Sequence, residues 1–96
     1  MKPIDYLTTW LPILYGIHPN DWGARTKCRE ELERITGISQ NTIKSWGADF
    51  ELAPIYVQKI CDYMDFINSV NQDAKKFEIV LTKNYEISNI EISEGT

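Results

Sequence analysis

Four polar side chains in one short stretch, Gln40, Asn41, Lys44 and Ser45, have the types and spacing that point most directly to chemistry. An amide that donates and accepts at once matches the major-groove edge of adenine, and a lysine reaches guanine or a phosphate. Such a role requires these residues to stand on the outer face of a short helix held firmly from behind. Ile43 and Trp46 supply that inner face, and Ser39 is placed to cap the helix start.

The elements that would hold this helix can be read outward from it. Residues 30–46, EELERITGISQNTIKSW, contain the parts of a helix-turn-helix. Leu32 and Ile35 give apolar contacts one turn apart. Gly37 stands where the chain must reverse, and Ile38 plugs the angle between the two helices. The first of the pair is expected from about Asp21 or Thr26 to Thr36, with Asn20, Asp21 or Thr26 as its cap. Cys28, Leu32 and Ile35 form its buried face. Arg29, Glu30, Glu33 and Arg34 form its wet face, where Arg29 and Glu33 are spaced to pair.

An earlier helix begins at Pro3, with Ile4, Leu7, Leu11 and Leu14 at helical spacing. Pro12 should kink or end it, and Gly16, Pro19 and Asn20 mark a loop. A last helix opens at Pro54 and runs to about Gln72 on Val57, Ile60, Cys61, Met64, Ile67 and Val70. Beyond Lys76 the β-branched stretches 77–82 and 85–93 favour strands around a turn at Lys83 and Asn84. The expectation is an all-α, four- or five-helix domain over 1–74. A C-terminal extension, 75–96, forms a β-hairpin, a dimerisation arm exchanged with a partner or a frayed, partly disordered tail, or uses Ile79, Leu81, Ile87, Ile90 and Ile92 to cover the domain's core.

Composition narrows the function classes. No apolar run is long enough to span a membrane and no secretory leader is visible, which suggests a cytoplasmic protein. Cys28 and Cys61 match no metal-ligand spacing and read as reduced core side chains. His18 falls in a loop, and Trp10, Trp22 and Trp46 read as core or core-edge aromatics. With no nucleophile–base pair and no phosphate-cradling loop, neither an enzyme nor a cofactor or metal site is expected. The net charge of −4 opposes nucleic-acid binding. Its distribution softens the objection: residues 1–48 carry six bases against five acids, whereas 49–96 carry four lysines against nine acids.

The GIS, then TI, then Trp of residues 37–46, followed by Pro54 and an amphipathic helix, resembles the phage-repressor-like regulators of the lambda-repressor and Cro, or XRE, type. The likeness covers about residues 26–67. Glu33 departs from it, because many members have a small residue there, so Glu33 must lean outward or the two helices must splay. MerR-like regulators share the core but continue into a basic wing, whereas Gly47–Ala53 contains two acids and no base. The resemblance implies Gln40, Asn41, Lys44 and Ser45 as base readers, with Ser39 and Thr42 touching phosphate or capping the helix. It also implies Arg25, Lys27 and Arg29 as backbone contacts at the start of the preceding helix.

The expected function is a double-stranded DNA-binding transcription regulator, a repressor that occludes its operator as a homodimer. One short helix reads few base pairs, and two half-sites restore specificity. Two other readings compete. One is a protein-interaction adaptor on the same fold, in which the mixed charges of residues 25–34 are only a solvated face. The other is an antitoxin or anti-defence factor whose C-terminal extension binds a protein partner.

Overall fold

The computed structural model describes the backbone of residues 1–94 and the side chains of residues 1–78. It contains four helices: α1 (Pro3–Tyr15), α2 (Ala24–Thr36), α3 (Gln40–Lys44) and α4 (Ile55–Glu94). The chain divides into two units, Met1–Phe66 and Ile67–Thr96. The first holds the core and every residue proposed above for function.

Pro3 sits in the first turn of α1, where a missing N–H costs nothing. The helix is a single element that runs through Pro12 rather than ending there. Pro12 and Thr8 both lie on the exposed side of the helix, where water can replace the N–H that the Thr8 carbonyl loses. The helix stops one turn later at Gly16, whose N–H donates to the Pro12 carbonyl at 3.0 Å. Its buried face is Tyr6, Leu7, Trp10 and Leu11, a wider stripe than the aliphatic residues alone define.

Helix α2 starts at Ala24, behind Gly23, and takes no side-chain cap. None of the three expected caps is used. Asp21 instead accepts the His18 N–H at 2.8 Å, and His18 Nδ1 accepts the Asn20 N–H at 3.2 Å, so these groups organise the loop. The expected Arg29–Glu33 pairing is replaced as well. Arg29 turns back to the Thr26 hydroxyl at 3.4 Å, and Glu33 turns toward α3.

The core of the first unit joins Tyr6, Leu7, Trp10 and Leu11 of α1 to Cys28 and Leu32 of α2. It continues through Ile43, Trp46 and Phe50 to Val57 and Cys61. Both cysteines are free and buried, as expected of reduced core side chains. Trp22 departs from expectation and is fully exposed. It sits in a loop between Asp21 and Gly23 and has no apolar neighbour at helical spacing to draw it inward.

One polar group lies inside this framework. Glu31 is 2 % exposed. It accepts from the hydroxyls of Tyr6 (2.7 Å) and Tyr15 (2.8 Å) on α1 and from Arg34 Nε (2.7 Å) and Nη2 (2.8 Å) one turn along α2. Burial alone would push its carboxyl upward. The Arg34 guanidinium and the two phenol donors more than offset this and hold it below the ordinary carboxylate value. At the far edge of the core, Trp10 Nε1 donates to Asp65 at 2.9 Å, and the Met1 amine pairs with Asp62.

Helix α4 runs to Glu94, so residues 77–82 and 85–93, expected as strands, are helical. No strand occurs among the described residues. Extending an existing helix orders one residue per hydrogen bond gained, whereas an isolated two-stranded hairpin is marginal in water. The side-chain role expected for Ile79 to Ile92 lies outside the described residues. The expected core stripe is also shorter than the helix. Val57 and Cys61 are buried and Ile60 and Met64 half-buried, but Ile67 and Val70 are exposed.

The Glu31 cluster generates a pH prediction. A folded pKa below the unfolded value of about 4.3 contributes stability that is complete above that value and lost as pH falls through the folded pKa. Glu31→Gln should destabilise the chain by about 2–3 kcal/mol at pH 7 in urea titrations. Its deficit relative to the native chain should shrink below about pH 4. A constant deficit down to acid pH would show that the charge contributes nothing.

Candidate nucleic-acid interface

The turn between α2 and α3 is assembled from short-range bonds that the sequence dictates. Gly37 adopts φ 73°, a left-handed conformation that costs an L side chain about 1–2 kcal/mol. Its N–H returns to the Glu33 carbonyl at 2.8 Å. The Thr36 hydroxyl donates to the Leu32 carbonyl (2.6 Å) and accepts the Ile38 N–H (3.1 Å), closing the last turn of α2. Ser39 then caps α3 as expected, its hydroxyl accepting the Thr42 N–H at 3.4 Å.

A second cap at α3 is not visible from local sequence. The Glu33 carboxylate reaches across the turn and accepts the Gln40 N–H at 3.2 Å. Of the two alternatives open for Glu33, it leans outward, and it places a negative charge at the start of α3. The only hint in the sequence is its position one turn before Gly37, which brings the chain back past it.

The spacing predicts a helix from after Ser39 to about Trp46 or Gly47, and α3 is shorter. Its α-helical part ends at Lys44, and Ser45 and Trp46 continue in a tighter 3₁₀-like turn through bonds to the Thr42 and Ile43 carbonyls, both 3.0 Å. Ile43 is fully buried and Trp46 nearly so, while Ile35 and Ile38 pack partly against the same core. These contacts fix the rotation of α3 about its axis. Asn41, Thr42, Lys44 and Ser45 are consequently exposed, with Gln40 half-buried at the edge. The Ser45 hydroxyl donates to the Thr42 carbonyl at 2.6 Å and retains its acceptor capacity. Lys44 is the sole base between residues 35 and 58, so the positive charge of this stretch resides in one ammonium group.

The three bases expected at the start of α2 do not act as a set. Arg25 is exposed, with its guanidinium 5.9 Å from the centre of the Phe50 ring, beside the segment that follows α3. Arg29 is half-buried, and its Nε has no acceptor. Lys27 is drawn to the α1 side, where its ammonium lies 4.0 Å from the Tyr15 ring centre and 3.7 Å from Glu30. The structure thus gathers Ser39, Gln40, Asn41, Thr42, Lys44 and Ser45 on α3, sets Arg25 and Arg29 along α2, and separates Lys27 from Arg25. No cluster of metal-ligating side chains occurs among the described residues. Among them, too, no helix is long and apolar enough to cross a membrane.

No protein-family model, curated protein or solved structure matches this chain.

The turn can be tested without any ligand. A methyl group at Gly37 would meet nothing within 4 Å, so Gly37→Ala isolates the backbone term. It should lower stability by about 1–2 kcal/mol in chemical denaturation. A neutral substitution would mean that this turn is not held left-handed in solution.

Proposed function

We propose that this chain is a sequence-specific double-stranded DNA-binding regulator that acts in the cytoplasm and represses by occluding its operator. The reading is carried by one observation: α3 is anchored from behind by Ile43 while Asn41, Lys44 and Ser45 stand exposed on it. Asn41 and Gln40 carry the amides suited to adenine, and Lys44 the cation suited to guanine or phosphate. Arg25 and Ser39 would position the protein on the backbone without reading sequence. A helix this short reads few base pairs, so the proposal includes a homodimer on two half-sites.

A second reading is favoured by a specific feature. The Glu33 carboxylate occupies the start of α3, the place where a phosphate would otherwise accept from backbone N–H groups. That arrangement suits a helix-turn-helix adaptor whose partner is a protein.

Selection of binding sites from random duplexes, followed by mobility shifts at low salt, separates the two. A regulator should return a palindromic site and bind it with an affinity that falls steeply with added salt. Gln40→Ala combined with Lys44→Ala should weaken specific binding at least about 10-fold while leaving the thermal midpoint unchanged. No enriched site, or an unchanged affinity in the double variant, would transfer the assignment to the adaptor.

A further inference from the structure

The outer face of α4 within the first unit carries several large apolar side chains around an exposed lysine and aspartate. Val57, Cys61 and Met64 point into the core, and the opposite side carries Ile55, Tyr56, Tyr63 and Phe66, with Leu52 in the turn before. These five side chains are between 51 and 80 % exposed. Isolated exposed apolar residues are ordinary, but four on the outer side of one helix, with a fifth in the turn before it, call for a partner.

We infer that this face pairs antiparallel with the same face of a second copy of the chain, through α4 against α4 about a two-fold axis. The inference supplies a surface for the homodimer proposed above and rests on that part of the reading. Two observations select a second copy as the occupant. The first is charge placement. Ile55, Lys59, Asp62 and Phe66 follow one another at intervals of four, three and four residues and therefore form a single row along the helix. In a two-fold contact, residue i meets j while j meets i. Antiparallel pairing centred between Lys59 and Asp62 sets each lysine against the other copy's aspartate, and each Ile55 against the other copy's Phe66. Both charges are exposed. The Met1 amine uses Asp62 Oδ1, which leaves Oδ2 for the second copy.

The second observation is area. With large side chains carrying roughly 200 Å² each, the exposed parts of the five come to roughly 700 Å² per copy. Complete burial of these parts in both copies would remove about 1,400 Å² from water, which reaches the range of standard stable interfaces. Tyr56 and Tyr63 flank the row on one side and add aromatic area along the edge of such a contact.

Sedimentation equilibrium of the full chain without DNA tests this, so its outcome is independent of whether the chain binds an operator. The native chain should be dimeric. Phe66→Asp should give a monomer with unchanged helical circular dichroism. Lys59→Glu and Asp62→Lys should each weaken the dimer at least about 10-fold by juxtaposing like charges. Mixing the two charge variants should restore a 1:1 dimer, because each then offers what the other lacks. A monomeric native chain would overturn the inference. So would a dimer indifferent to Phe66→Asp, or a mixture that fails to recover.

Discussion

Glu31 is a carboxylate removed from water, and such a group is tolerated only when its lone pairs are met by well-placed donors. Here three side chains from two helices meet them: Tyr6 and Tyr15 on α1, and Arg34 on α2. Two donors lie near opposite ends of α1 and converge on one residue of α2. A slide or rotation of one helix against the other would strand a buried charge. Apolar contacts between Leu7, Leu11 and Leu32 can be remade in several registers at similar free energy; the Glu31 bonds cannot. Hydrophobic burial therefore drives α1 and α2 together, and the carboxylate selects how they meet.

The placement of α3 follows from that of α2. Leu32, next to Glu31 in the chain, lies in the core, and the turn at Gly37 begins one helical turn later. From there Ile38, Ile43 and Trp46 leave α3 a single orientation, which buries Ile43 and Trp46 and half-buries Ile38. The polar face of α3 is in this sense a residue of packing: what the core does not take is presented to solvent. Glu33 adds an electrostatic constraint of its own. It satisfies an orphan N–H at the α3 start, as a capping carboxylate should, and it also opposes any anion approaching there. Lys44, at the other end of α3, then carries the local attraction for phosphate almost alone.

Much of this was legible from residue type and spacing. The α2–turn–α3 unit follows from Gly37, Ser39 and the intervals between Leu32, Ile35, Ile38, Ile43 and Trp46, because each is a local requirement of helix ends and helix faces. The exposure of Asn41, Lys44 and Ser45 follows from the same spacing. Features requiring a distant partner were not legible. Glu31 looks like its neighbours Glu30 and Glu33, and only the tyrosines of α1 distinguish it. Lys27 looks like Arg25 and Arg29, yet Tyr15 draws it toward α1. The β-branched composition after Lys76 suggested strands, but those residues continue a helix already under way, where local propensity is a weak constraint.

The sequence by itself determined the helix boundaries set by Pro3, Gly16, Gly37 and Ser39, the inner face of α3, and the polar side chains opposite it. Those properties depend on backbone sterics and on a period of 3.6 residues, both of which act within a turn or two of chain. The tertiary structure alone decided which acid is buried, which caps α3, which tryptophan stays in water, and that the outer face of α4 remains uncovered in the first unit. Each of these depends on what a second, remote element brings within about 3 Å, and no local pattern carries that distance.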